Sequence, residues 1–296
     1  MINGIIFTIV VKRYLKLIII IAVVLILILS ASFIYFKKNN ANNSSSNTKQ
    51  SDQSDKDAEA KRKSEAREEN INLAIKKVIV KYDNIDIAVS FEDIDNGDST
   101  NILGDKLFIA ASTVKIIVAT DFLEQMQDGK YGMNMKMGNH DANYHLEQMV
   151  SQSNNDSWAL FNNLLSFAGE EQYAKKIGIT YVSSNNSIKP NDINAFLGKL
   201  YRGELLNKEN TDLLLSLMRV THDDRYLPGS AVKANYYHKT GKYEAYVHDV
   251  GIIDDGTHKY AISIFTDAQY KDYTIDGRIP IFHEIVEAAY AAANIN

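Results

Sequence analysis

Apolar residues crowd first into Leu17 to Phe36, a nearly unbroken run of about twenty positions, the length that crosses a bilayer core. Lys12, Arg13 and Lys16 precede it, and Lys37 and Lys38 follow. The positive-inside bias turns the N-terminus towards the cytoplasm. A cleaved signal peptide is the competing reading, since Ser30-Ala-Ser32 offers small residues. The apolar run continues through Phe33-Ile-Tyr-Phe36, however, which is long for such a segment. The expectation is therefore a single-pass cell-membrane anchor at 17–36, with 1–16 cytoplasmic and the bulk of the chain extracellular. Residues 39–57 are Asn, Ser, Gln, Asp and Lys with almost nothing apolar, and such a stretch cannot bury enough surface to offset chain entropy. It reads as the flexible part of a linker, 37–70. Ala58 to Asn70, charged and alanine-rich, begins a helix. Apolar positions at Ile71, Leu73, Ile75, Val78 and Ile79 carry that helix into a folded domain, 71–296.

Within the domain the period changes repeatedly. Ile85 to Glu92 reads as a strand, Asp95-Asn-Gly-Asp98 as a turn and Thr100 to Leu103 as a returning strand. Ser112 opens an apolar stretch to Met126, read as a buried helix closed near Gly129. Residues 131–145, rich in Met, Asn and His, read as a loop. Helical patterns cover Asn155 to Phe167, Asn191 to Arg202 and Lys208 to Arg219. Three strands follow in sequence, Tyr236 to Thr240, Tyr246 to Ile253 and Lys259 to Thr266, joined by short turns, and 276–293 is a final helix. Two strands, a helical middle, three strands and a terminal helix predict an α/β (α+β) fold: an antiparallel sheet with helices on its faces.

Composition narrows the chemistry. The chain has no cysteine, which removes disulfides, thiolate nucleophiles and Cys–zinc sites. A formal charge of −5 makes no electrostatic case for nucleic acid. His140 and His145 miss the spacing of metal-binding helices and read as loop histidines. No cofactor and no metal are expected, and the protein is taken as a monomer.

Three short motifs then stand in order: Ser112-Thr-Val-Lys115, Ser153-Asn-Asn155 and Lys239-Thr-Gly241. Single matches carry little, because Ser46-Asn-Thr-Lys49, Ser230-Ala-Val-Lys233 and Ser184-Asn-Asn186 fit the same patterns. The setting separates them. Serine needs a base within hydrogen-bond reach, and three residues along a helix Lys115 shares its face with Ser112. Burial and a second cation depress a lysine pKa; the flanks Phe108-Ile-Ala-Ala and Ile116-Ile-Val-Ala bury Lys115, and Lys239 can be the cation. Ser153-Asn-Asn155 stands before a helix. It suits either an N-cap or a relay, with Ser153 passing a proton and Asn155 bonding a substrate amide. Lys239-Thr-Gly241 suits a hairpin turn, or a strand where Lys239 and Thr240 receive a carboxylate and Gly241 permits close approach. The backbone N–H groups of Ser112 and Lys242 can then form an oxyanion hole.

Taken together, these motifs resemble those of the serine β-lactamase and penicillin-recognising D,D-peptidase superfamily, most closely its class A branch. Phe108-Ile-Ala-Ala-Ser112-Thr-Val-Lys115 is similar to the family's nucleophile segment. Lys239-Thr-Gly241 with Val247-His-Asp-Val-Gly251 is similar to its strand pair. The resemblance covers 71–296. It implies a β-lactamase/transpeptidase-like sheet of about five antiparallel strands with a helical half, and the active site between them. It also implies acyl-Ser112 chemistry on a β-lactam or a peptidoglycan peptide, without cofactor.

One part of the family pattern is missing. Class A enzymes place a Glu between the second and third motifs to activate the deacylating water, yet residues 177–190 here contain no acid. Glu170 and Glu171 lie upstream in a helical pattern and are not assigned that role. The interval from Ser112 to Ser153 is also short, which departs from the family where an aromatic wall usually lines the pocket. General-base catalysis contributes ~10²–10⁴-fold, so acyl-enzyme should turn over slowly. Three readings follow: a β-lactamase with another route to water, a D-Ala-D-Ala carboxypeptidase or amidase, and a non-catalytic membrane-anchored β-lactam receptor. His248-Asp249 reads as a satisfied strand pair and Arg225 as a structural ion pair.

Overall fold

Helix α1 covers 56–79 in the computed structural model, which describes residues 56–269 and 274–294. The expected anchor at 17–36, the segment 1–16 and most of the tether lie outside the described residues. Among those described, no helix is long and apolar enough to cross a membrane. The chain divides into two units, Met1–Lys63 and Ser64–Asn296. In the first, residues 56–63 are helical, with Lys63 Nζ 2.8 Å from Glu59 one turn away.

The second unit is built on a five-stranded antiparallel sheet. Its strands are β1 (Asp86–Asp93), β2 (Ser99–Ile102), β8 (Asn235–Tyr243), β9 (Tyr246–Asp254) and β10 (Lys259–Asp267), in the order β2-β1-β10-β9-β8. The long strands are buried on both faces, which requires a helical layer on each side. On one side Ile71, Ile75 and Val78 of α1 and Ile281, Phe282, Ile285 and Ala289 of α8 (Ile279–Ala293) pack against Ile87, Val89, Phe91, Ile262 and Ile264. On the other, α2 (Lys115–Gln127) and α6 (Pro190–Tyr201) bring Ile116, Phe122, Ile193, Phe196 and Leu197 against Ala88, Val250, Ile252 and Phe265. Odd and even strand positions therefore feed separate cores, as a period of two demands.

The helical half differs from the sequence reading in three places. Residues 131–145 are not a loop throughout: β4 (Lys136–Met137) pairs with β5 (His140–Asp141), and Asp141 caps α3 (Ala142–Val150) by accepting from Tyr144 N at 3.0 Å. His145 is consequently a buried helix residue, with Nε2 2.8 Å from Met137 O and Nδ1 2.9 Å from Ser157 Oγ. The segment read as one helix from Asn155 is two, α4 (Asn155–Leu165) and α5 (Phe167–Lys176), broken at Ser166 with φ 64°. Residues 177–190 hold two short strands, β6 (Tyr181–Val182) and β7 (Ser187–Ile188). β7 pairs with β3 (Phe108–Ile109), so this acid-free segment is tied directly to the chain that leads to Ser112. Helix α7 (Lys208–Arg219) packs beside β8.

Candidate active site

Ser112 does not open the α-helix as read from sequence. It lies in a 3₁₀ turn, Ala111–Val114, and α2 begins at Lys115, whose N–H bonds to Ser112 O. The preceding residue, Ala111, has φ 51°, a left-handed conformation that costs a β-carbon residue of order 1 kcal/mol or more and must be held by its surroundings. Three contacts hold it. Ala110 N donates to Asn186 O at 2.6 Å, and Asn186 Nδ2 donates to Ala111 O at 3.0 Å. His248 Nε2 donates to Ile109 O at 2.8 Å. Thr266 N donates to His248 Nδ1 at 3.1 Å, which leaves Nε2 as the protonated nitrogen. Complete burial pushes His248 down to about 3, so it is a neutral brace. Neither Asn186 nor this use of His248 was legible from motifs, since each acts on a backbone carbonyl distant in sequence.

Lys115 is wholly buried and its amine is crowded by acceptors. Nζ lies 2.6 Å from Ser153 O, 2.7 Å from Asn155 Oδ1 and 3.4 Å from Ser153 Oγ. Its Nζ also lies 5.2 Å from the centroid of the Trp158 ring. Burial pushes its pKa down to about 8. A neutral amine has two N–H groups, which Ser153 O and Asn155 Oδ1 can take, and one lone pair left to accept a proton. Ser153, like Ala111, is left-handed, with φ 56°, and this turns its carbonyl and hydroxyl together towards the lysines. Asn154, not Asn155, caps α4, accepting from Ser157 N at 2.8 Å. Asn155 is thereby free of the cap and available to Lys115.

Lys239 closes the network from the sheet. Its Nζ donates to Ser153 Oγ at 2.8 Å and to Thr240 O at 2.9 Å. Burial, then the neighbouring Lys115 ammonium, push its pKa down to about 7. The adjacent His238 is buried between Asp249, 2.9 Å from Nδ1, and Asp224, 3.1 Å from Nε2. Burial alone would lower its pKa, but the Asp249 and Asp224 carboxylates raise it to about 9, so the imidazole is charged at neutral pH. Gly241 permits β8 to run against the nucleophile turn. A Cβ there would stand 2.9 Å from Thr113 Cγ2 and 3.0 Å from both Ala110 O and Thr113 N, closer than atoms pack.

An open cleft of about 440 Å³ meets this network. It is lined by Ile109, Ala111 and Ser112, by Asn155 and Trp158 of α4, by Asn185 and Asn186, and by Lys242 and Tyr243 of β8. Among the sequence-read residues, Ser112, Asn155 and Lys242 thus share the cleft, and Lys115, Ser153 and Lys239 share the hydrogen-bond network. Thr240 and Gly241 are buried beside them. The Lys242 side chain pairs with Asp223. Arg225 is an ion-pair residue as read, with Nε 2.8 Å from Asp223 and Nη1 2.8 Å from Asp276.

No carboxylate lines the cleft among the described residues. Glu171 is engaged elsewhere, accepting from Ser183 N and Oγ at 2.7 Å each. Glu170 is buried in α5, and burial, then Asp121, push its pKa up to about 7. No group of three or more His, Cys, Asp or Glu side chains able to hold a metal ion occurs among the described residues.

Known proteins agree with this architecture. A family model described as "Beta-lactamase enzyme family" matches residues 70–147 and 136–292. No curated protein sequence matches the chain significantly. Among solved structures, a mutant of PBP-A in an acyl-enzyme complex with penicillin G is 23% identical with a TM-score of 0.68. It covers 75% of this chain and 96% of its own. A β-lactamase from Chitinophaga pinensis DSM 2588 is 22% identical, TM-score 0.68, over 76% of this chain and all (100%) of that one. TLA-1 extended spectrum β-lactamase is 17% identical, TM-score 0.68, over 75% and 99%. At these identities the structures speak to the fold.

Proposed function

The chain belongs to the β-lactamase enzyme family, and on that premise we propose that it is a serine hydrolase that opens β-lactam amides through an acyl-Ser112 intermediate and releases the product slowly. The observation that carries this reading is the shared position of Ser153 Oγ, 2.8 Å from Lys239 Nζ and 3.4 Å from Lys115 Nζ, beside a cleft lined by Ser112.

Each residue then has a task. Neutral Lys115, about a tenth of the population at pH 7 for a pKa of about 8, takes the Ser112 hydroxyl proton. Ser112 Oγ attacks the lactam carbonyl carbon. The N–H groups of Ser112 and Lys242 stabilise the oxyanion. As the C–N bond breaks, Ser153 passes a proton to the departing nitrogen and regains one from the lysine pair. Asn155 holds the substrate amide, while Lys239 and Thr240 receive its carboxylate and Gly241 lets the strand lie close. No cofactor is needed.

The carboxylate-free cleft supports a second reading. A D-Ala-D-Ala carboxypeptidase would form the same acyl-enzyme and meet β-lactams as slow substrates. In either case the reading keeps the domain extracellular, tethered through 17–36.

The test is intact-mass measurement of the protein with a penicillin, beside Ser112→Ala. A Ser112-dependent adduct supports the acyl-enzyme. Its slow decay supports the slow release proposed here, disappearance of drug without lasting adduct would overturn that slow release, and cleavage of a D-Ala-D-Ala peptide would favour the peptidase. Labelling of Ser112→Ala would remove Ser112 as nucleophile.

A further inference from the structure

Trp158 is the cleft residue that the proposed chemistry leaves without a task. It sits on α4 one turn after Asn155, lines the cleft, and stands with its ring centroid 5.2 Å from Lys115 Nζ. Lys115 itself is wholly buried and is not among the residues lining the cleft. The indole is thus the cleft-lining group packed against a buried amine. Its own N–H is buried with no acceptor among the described residues, a cost that a phenylalanine at this place would not carry. The ring packs against the core of the helical half, but that packing leaves the indole nitrogen unexplained.

We propose that Trp158 sets the lifetime of the acyl-Ser112 ester by keeping water away from the Lys115 amine. The inference rests on the acyl-enzyme reading above. Hydrolysis of that ester needs a water whose proton is removed as its oxygen bonds the acyl carbon. The proton then goes to Ser112 Oγ as the ester C–O bond breaks. With no carboxylate lining the cleft among the described residues, Lys115, three residues after Ser112 in the chain, is the base we assign to that step. Its N–H groups are occupied by Ser153 O and Asn155 Oδ1, and the indole covers it towards the cleft. A water can reach the acyl carbon without reaching a base. Replacing the ring by a small side chain opens that path, while the nucleophile turn at Ala111–Val114 and the acceptors of Lys115, Ser153 O and Asn155 Oδ1, stay in place.

The experiment uses the full chain labelled with benzylpenicillin, freed of excess drug and followed by intact mass. Wild type, Trp158→Phe, Trp158→Leu and Trp158→Ala are compared, with circular dichroism as the check on folding. Wild type and Trp158→Phe should hold the adduct for similar times. Trp158→Ala, or Trp158→Leu if the alanine variant does not fold, should lose it at least tenfold faster. That loss should accelerate with pH as Lys115 deprotonates, while labelling rates change less. Equal adduct lifetimes in all folded variants would overturn the role of Trp158 and leave the acyl-enzyme reading intact. Absence of any Ser112-dependent adduct in wild type would overturn both.

Discussion

At Ser112 the chain spends local backbone strain to aim a hydroxyl. Ala111 and Ser153 are both left-handed, and each precedes or contributes to a contact of the lysine pair. Asn186 is itself left-handed, with φ 52°, a conformation asparagine tolerates better than most residues. Asn186→Ala should slow acylation about tenfold, while Asn186→Asp should fail to rescue because its carboxylate cannot donate to Ala111 O; labelling rates measure both. Lys115→Ala should slow labelling by ~10²-fold or more, within the range of general-base effects. In wild type the labelling rate should rise with pH up to about 8 as Lys115 loses its proton. A flat profile between pH 6 and 8 would refute Lys115 as base. The motifs named Ser112, Lys115, Ser153 and Lys239 because their chemistry depends on residue type at short spacing. Asn186 and His248 were not legible as site residues, because the carbonyls they brace lie far along the chain, 75 positions for Asn186 to Ala111 O and 139 for His248 to Ile109 O, and Trp158 meets Lys115 only through the fold.

Elements carry the next share of the geometry. Strand β8 brings His238, Lys239, Thr240 and Gly241 past the nucleophile turn, and Gly241 sets how closely it passes. Gly241→Ala should push β8 off Ala110 and Thr113, costing about 1–3 kcal/mol as an overpacked contact and more than that in acylation; urea denaturation and labelling separate the two. His238 anchors the same strand to β9 through Asp249, whose Oδ2 also accepts from Leu227 N at 3.0 Å. Asp249→Ala should destabilise the fold by about 3 kcal/mol, because it leaves a buried imidazolium with only the exposed Asp224 as counter-ion. The five sheet strands were legible from alternation and turn residues, and α2, α6, α7 and α8 from apolar spacing. The β4–β5 hairpin, α3 and the break at Ser166 were not, since two-residue strands have no period and polar, Met-rich sequence hides a nine-residue helix.

At the scale of the whole molecule, a buried carboxyl in the helical half ties stability to pH. Glu170 sits in the helical half with its pKa pushed up to about 7 from an ordinary 4.5, chiefly by burial. The folded state therefore holds a proton that the unfolded state releases, and stability falls as pH rises from about 4.5 through about 7, by roughly 3 kcal/mol in all. Glu170→Gln should remove that decline, and denaturation midpoints at pH 5 and 8 for both proteins measure it. Opposing contributions from other carboxylates cancel in the comparison. Sequence could not mark this residue, since a Glu between Gly169 and Glu171 in a polar helix looks solvated. The sheet order has a further consequence. β1, at Asp86–Asp93, bonds to β10, at Lys259–Asp267, so the central pairing closes a loop of most of the domain. Loop-closure entropy must be met before that pairing rewards it. Folding from an extended, emerging chain should accordingly be late and abrupt: protection of β1 amides from hydrogen exchange arises only after β10 has been synthesised, together with the capacity to be labelled at Ser112.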